Sequence, residues 1–169
     1  LILEAKLGTP PAMRGMAIVQ TAVYEAANAV TQRYPAGTLR IFAAPGASLD
    51  AAVAAANRAT LLKMLPTQLA AIDSAYQAAL AKVADGPAKT AGIAAGEQAA
   101  AAVLALAAED RANAAEAYRP QTTPGAYVPT VVPAIPQWAQ RKPWVLSSPA
   151  QFRPGPPPRL QGWPRPPRS

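Results

Sequence analysis

Between residues 10 and 109 apolar side chains recur at three- and four-residue steps, and four stretches carry the pattern. In the first, residues 10–30, Met13, Met16, Val19, Val23, Ala27 and Val30 fall on one stripe. That is the period of a helix rather than the alternation of a strand. Pro10 and Pro11 suit its start, because their missing N–H groups would have no intrahelical partner there, and Thr9 is placed to cap it. Tyr34, Pro35 and Gly37 end it, with glycine suited to a left-handed exit. In the second stretch Ser48 is the predicted N-cap and Asp50 sits in the first turn, favourable against the helix dipole. Leu49, Val53, Ala56 and Thr60 share one face, broadened by Leu61, Leu62 and Leu65 as far as Pro66. The third follows Leu69, Ile72, Tyr76, Leu80 and Val83, an amphipathic helix stopped by Asp85-Gly86-Pro87. The fourth runs from about Ala88 to Glu109, with Ile93, Ala100, Val103, Leu104 and Ala107 inward. Its Ala88, Gly92, Gly96 and Ala100 make a small-residue stripe into which another helix backbone can press.

Two connecting segments complete this part. Residues 2–7 can form a short helix before Gly8, and Leu39, Ile41 and Phe42 are expected to tack the 38–46 connection onto the helices. Residues 91–108 are apolar, but they contain Glu97 and Gln98 and their alanines add little hydrophobicity. They therefore read as a buried helix and no membrane span is expected.

From about Tyr118 the pattern breaks. Fourteen of the 20 prolines lie beyond it, so neither a helix nor a central strand persists and an extended strap is expected. The strap still carries Tyr127, Val131, Val132, Ile135, Trp138, Trp144, Val145, Leu146 and Phe152, too many large apolar groups for a spacer. It is expected to lie across an apolar surface, anchored by Trp138 and Trp144. The fold class is thus mostly α: an Ala-rich bundle of about four helices over 1–116, a Pro-rich strap over 117–160, and an Arg/Pro tail over 161–169.

Composition qualifies that picture. Alanine is about a quarter of the 169 residues and aromatics only 6%, so the core is shallow, its helices lie close together, and little apolar area is buried per residue. The net charge of +7 resides in the second part of the chain: Arg119, Arg141, Lys142, Arg153, Arg159, Arg165 and Arg168 follow Ala117 with no acidic residue among them, whereas charges before that point cancel. With few aromatics interleaved, this basic arm does not point to nucleic acid. The Pro154-x-x-Pro157 and Pro164-x-x-Pro167 spacings, flanked by arginine, fit ligands of SH3-type grooves.

Chemistry is limited by what the chain lacks. It has no Cys and no His, which excludes disulfides, thiolate metal sites, Ser-His-Asp triads and His-based acid–base catalysis within it. Glu25, Asp73, Glu97, Glu109, Asp110 and Glu116 form no recognisable constellation, and Asp73 and Glu97 read as half-buried partners of Arg14 or Arg58. No catalytic, cofactor-binding or metal-binding residue is assigned. Residues 1–8 lack the layout of a signal peptide, and the sequence indicates no compartment.

Four stretches carry a resemblance. They are Pro-Pro-Ala-Met-Arg-Gly-Met-Ala-Ile-Val-Gln-Thr-Ala-Val-Tyr-Glu-Ala-Ala-Asn-Ala-Val at 10–30, Ala-Asn-Arg-Ala-Thr-Leu-Leu-Lys-Met-Leu-Pro at 56–66, Ala-Gly-Ile-Ala-Ala-Gly-Glu-Gln-Ala-Ala at 91–100, and the strap from Thr-Pro-Gly-Ala-Tyr-Val-Pro-Thr to Gln-Phe-Arg-Pro-Gly-Pro-Pro-Pro-Arg-Leu at 123–160. In order and spacing they resemble the N-terminal, non-catalytic helical half of bacterial vanadium-dependent haloperoxidase-like proteins of the PAP2 phosphatase superfamily. The resemblance implies a C-terminal catalytic half as partner. That half would hold vanadate, or a substrate phosphate, on a Lys/Arg motif, a Ser-Gly-His motif and an Arg-to-His motif.

This chain has no Ser-Gly-His and no His, so no pocket residue carries over and the chain alone is not expected to be an enzyme. Gln20 and Asn57 stand where relatives often have His, and Glu25 where they often have Asp. The match stops at Leu160, and 161–169 is expected to be a frameshifted or truncated end. The competing expectation is a stand-alone helical interaction module whose basic Pro-rich arm binds an acidic or SH3-like partner. Oligomerisation is compatible with either.

Overall fold

The computed structural model describes residues 6–120, 126–144 and 146–155. The chain divides into two compact units, Leu1–Ala108 and Glu109–Ser169. The first contains four α-helices: α1 (Thr9–Thr31), α2 (Leu49–Met64), α3 (Leu69–Leu80) and α4 (Pro87–Ala108), with a 3₁₀ turn at Pro66–Gln68. No strand occurs among the described residues.

Contacts between the helices fix their directions. Gly92 of α4 faces Ser48 at the start of α2, and Gly96 faces Ala52 and Ala56, so α2 and α4 run side by side in the same sense. Arg14 reaches the carbonyl of Ala107 at 2.8 Å and Gly15 meets Met64, so α1 runs opposite to both. α3 returns along α2 and packs on it, outside the α1–α2–α4 core.

That core is built from small side chains: Ile18, Ala22 and Ala26 of α1, Ala52 and Ala56 of α2, and Ala99, Ala100 and Val103 of α4 are buried together. Ile18, Val103 and Thr60 are the largest side chains fully enclosed. Thr60 satisfies its hydroxyl locally by donating to Ala56 O at 2.7 Å. An aliphatic side chain of Ile or Val size contributes about 1.5–3 kcal/mol when buried, an alanine far less, so tight backbone approach supplies much of the packing here. The glycines make that approach possible. A β-carbon on Gly92 would strike Ser48 O and come within 3.0 Å of Ala51 Cβ; one on Gly96 would strike Ala52 O and come within 2.8 Å of Ala55 Cβ. The small-residue stripe of α4 is therefore the seat of α2.

Several local expectations are corrected. The buried face of α1 is Gly15, Ile18, Val19, Ala22 and Ala26, about one position round from the Met-led stripe, and Met13 and Met16 are 63% and 50% exposed. Gly8, not Thr9, is the N-cap of α1, and no side chain caps it. Gln32, not Gly37, takes the left-handed exit (φ 51°), because Asn28 holds the turn from inside: its amide donates to Tyr34 O at 3.1 Å and accepts from Tyr34 N at 2.9 Å. Leu39 and Ile41 pack on the core as expected, but Phe42 is 71% exposed. Leu49 and Leu69 are exposed at the starts of their helices, and Ile93 and Leu104 are only half-buried. Of the expected 2–7 helix, residues 2–5 lie outside the described residues, and Lys6 has a positive φ of 50° in a turn.

Other expectations hold. Ser48 Oγ accepts from Ala51 N at 3.3 Å as the N-cap of α2, with Asp50 in the first turn. Gly86 (φ 148°) adopts a conformation only glycine takes easily, directly before Pro87 opens α4. α4 is long and apolar enough to cross a membrane by length and composition, yet its Gly92, Ala95, Gly96, Ala99, Ala100 and Val103 are buried against α1 and α2.

The second unit is organised around Asp110. This 5%-exposed carboxylate accepts from Arg141 Nε at 3.0 Å and from Ala112 N at 2.9 Å, and its carbonyl accepts from Lys142 N at 3.0 Å. Arg141 stacks over Trp138 at 5.0 Å, on a short 3₁₀ helix spanning Pro136–Gln140, which Ile135 enters with a left-handed φ of 53°. Tyr127, Val131, Val132, Trp144 and Phe152 are exposed within this chain, so no described part of it covers these apolar groups of the strap. Residues 109–116 group with this unit through the Asp110 contacts. The 161–169 tail and most of both Pro-x-x-Pro spacings lie outside the described residues.

Candidate functional site

Among the described residues of the helical unit, three clefts stand out, and α2 forms a wall of two of them. The larger, about 570 Å³, lies between α2 and α3. Its walls are apolar, led by Val53 and Leu61 of α2 and Ile72, Ala75 and Ala79 of α3. These line up because α3 runs antiparallel to α2 and because its alanines leave room that larger side chains would fill. Arg58 and Tyr76 supply the polar part. Arg58 Nε donates to Asp73 Oδ1 at 2.7 Å and its guanidinium lies 5.0 Å over the Tyr76 ring. Burial pushes the Tyr76 hydroxyl above its ordinary pKa of 10.0; Arg58 opposes that shift. The phenol therefore stays protonated and able to donate at neutral pH. With about a third of each side chain exposed, the Arg58–Asp73 pair adds roughly 0–1 kcal/mol to stability.

The second cleft, about 220 Å³, lies between α2 and α1 and shares Asn57 and Leu61 with the first. Gln20 and Asn57, the two positions where the resemblance places His in relatives, both line it, among Met16, Val19, Leu61 and Met64. Asn57 Nδ2 donates to Val53 O at 2.9 Å within its own helix.

A third, more polar cleft of about 490 Å³ lies at the end of α1 and is lined by Glu25, Asn28, Tyr34 and Arg40. Desolvation raises the Glu25 carboxyl above its ordinary 4.5. A β-carbon on Gly37 would come within 3.2 Å of its Oε1, so the Gly37 backbone covers one side of that carboxyl.

The remaining carboxylates stay apart. Asp73 takes Arg58 as one of its two expected partners, but Glu97 stands exposed on α4 and forms no ion pair among the described residues, while Arg14 turns to the Ala107 carbonyl. Asp110, a carboxylate with no recognisable constellation in the sequence, holds the most enclosed ion pair among the described residues, with Arg141 Nη2 at 2.9 Å. Thirty-one residues separate the two, and no spacing rule links them. Among the described residues no three His, Cys, Asp or Glu side chains gather as a metal site.

Vanadate or phosphate, which the resemblance implies for a relative, calls for several cationic donors around one oxyanion, and the mainly apolar α2–α3 cleft does not supply them: of its two basic residues, Arg58 is held at Nε by Asp73 and Lys82 is exposed. Comparison of the chain with family models, with curated proteins and with solved structures finds no match.

Proposed function

We propose that this chain is a non-catalytic helical scaffold, equivalent to the N-terminal half of a vanadium-dependent haloperoxidase-like protein of the PAP2 superfamily, and that its α1 face packs against a further helical part of that protein. One observation carries the scaffold reading. α1 has two charged residues in 23, and both are turned aside, Arg14 to the Ala107 carbonyl and Glu25 toward Gly37. Its outward face is then Met13, Met16, Gln20 and Tyr24, uncharged throughout, in a protein whose own core is mostly alanine. A helix without a charged face is characteristic of one enclosed on all sides.

The reaction class belongs to the relative: oxidation of halide by peroxide, or phosphoester hydrolysis. This chain's contribution is to present a rigid wall. Two measurements test the proposal. The isolated chain is expected to bind an apolar-surface dye and to melt over a broad range; a sharp two-state melt with no dye binding overturns the scaffold reading. Translation of the encoding DNA beyond Leu160 in all three frames is expected to give the Lys/Arg, Ser-Gly-His and Arg-to-His motifs, and their absence from every frame overturns the family.

A second reading, a stand-alone module with a basic Pro-rich arm, is favoured by the exposed Tyr127, Val131, Val132 and Phe152 of the second unit. Pairing of Arg141 with Asp110 removes one of the arm's charges from such a role.

A further inference from the structure

The α2–α3 cleft has a property that neither scaffold nor arm requires. Its volume of about 570 Å³ lies within the range of small-molecule sites, about 300–1,000 Å³. Within its apolar lining two hydrogen-bond donors stand together. Arg58 is held by its Nε, on Asp73, and by its face, on Tyr76, while its two terminal nitrogens make no hydrogen bond among the described residues. The Tyr76 hydroxyl likewise has no partner among them. A guanidinium fixed at one nitrogen, with its fork still to be filled, beside a protonated phenol, is arranged to receive a planar two-oxygen acceptor.

We propose that the cleft between α2 and α3 binds an amphipathic carboxylate, its carboxyl group on Arg58 and Tyr76 and its hydrocarbon body over Val53, Leu61, Ile72 and Ala75. The charge sign follows from the donors: an acceptor anion satisfies both, whereas an ammonium group would meet Arg58 with like charge. Lys82, also on the cleft wall, adds to that preference, while Asp50 on the same wall and Asp73 on Arg58 Nε oppose it, so the preference rests on the donor geometry and not on net charge. The proposal is independent of the scaffold reading, since it concerns α2 and α3 and not the outward face of α1.

The test uses the full chain and sodium decanoate, below its micelle-forming concentration, in calorimetric titration. One saturable site is expected, with octanoate about tenfold weaker, because each buried methylene contributes about 0.8 kcal/mol. Decylammonium is expected not to saturate. Arg58→Met, which keeps the aliphatic stem, should weaken decanoate by tenfold or more, and Tyr76→Phe by several-fold. Ala75→Trp, at an exposed position of α3, should abolish binding by filling the cleft while leaving helix content by circular dichroism unchanged. Arg58→Lys guards against loss of α3 docking: it should retain helix content and bind with intermediate affinity. No saturable site for decanoate, equal binding of decylammonium, or an unchanged affinity in both Arg58→Met and Tyr76→Phe overturns the proposal. So does a change in self-association of Ala75→Trp without any ligand effect, which would make the cleft a seat for a second copy.

Discussion

The carbonyl oxygen of Ala52 occupies the space that a β-carbon on Gly96 would need. Four residues earlier on each helix the relationship repeats, with Ser48 O against Gly92. Both obstacles are backbone, which cannot step aside as a side-chain tip does. Gly96→Ala and Gly92→Ala gain about 1 kcal/mol of helix propensity and lose more by forcing α2 away from α4, for a net loss of about 1–3 kcal/mol each. Gly15 provides the contrast, because its β-carbon would meet only the terminal methyl of Met64. Gly15→Ala is expected to be neutral or mildly stabilising. Urea midpoints followed by the helix signal compare the three variants, and equal effects at 15, 92 and 96 would contradict this account.

Met13 and Met16 point outward while Ile18 is enclosed, and that difference sets opposite outcomes for similar changes. Met13→Gln together with Met16→Gln should alter stability by less than about 0.5 kcal/mol per site and sharply reduce dye binding. Ile18→Ala should cost about 2–4 kcal/mol, the transfer term plus the cavity left in a core with few large neighbours. A large stability loss in the Met double variant would mean that the α1 face is covered within the chain itself.

The misplacement of the α1 stripe shows what the sequence can and cannot convey. All four helix spans were legible, as were the Ser48 cap and the Gly92/Gly96 seat, since caps, breakers and small-residue repeats act locally. The face that α1 buries was not. In a chain this rich in alanine the large apolar residues no longer mark the inside; close backbone approach does, and it selects Gly15, Ala22 and Ala26 over Met13 and Met16. The α2–α3 cleft was half legible. The Arg58–Asp73 pairing was among those expected, but the stacking of Arg58 on Tyr76 depends on the antiparallel return of α3. The Asp110–Arg141 anchor bridges 31 residues through a proline-rich segment and left no periodic trace.

Glu25 gives a pH-dependent prediction. Its folded-state pKa is raised above the ordinary 4.5 by desolvation. Below 4.5 the carboxyl is protonated in both folded and unfolded chains and contributes no difference. As pH climbs through the unfolded value and then the raised folded one, the folded chain retains its proton longer, so stability falls across that window. Glu25→Gln removes the effect. The variant should melt slightly above the wild type at about pH 7 and coincide with it at about pH 3. A difference of the same size at both values would assign the effect to packing against Gly37 instead.

Asp110 and Arg141 make the sharpest prediction for the second unit. Asp110→Asn preserves shape and the local bond to Ala112 N, but it leaves the 15%-exposed Arg141 side chain without its counter-charge. Removing one partner of a buried pair is costly, about 3–5 kcal/mol, because the remaining charge is left desolvated. The neighbouring Lys142 N–H, bonded to the Asp110 carbonyl, should open with it. Trypsin reads this directly at the Arg141–Lys142 bond, since cleavage follows the population of the open form. The variant should be cut there roughly tenfold faster or more, while cleavage at Arg58 and Lys63 in α2 stays at the wild-type rate. Equal rates at Arg141 in the two proteins would mean that the ion pair does not hold the segment closed, and that the Pro-rich backbone alone sets its conformation.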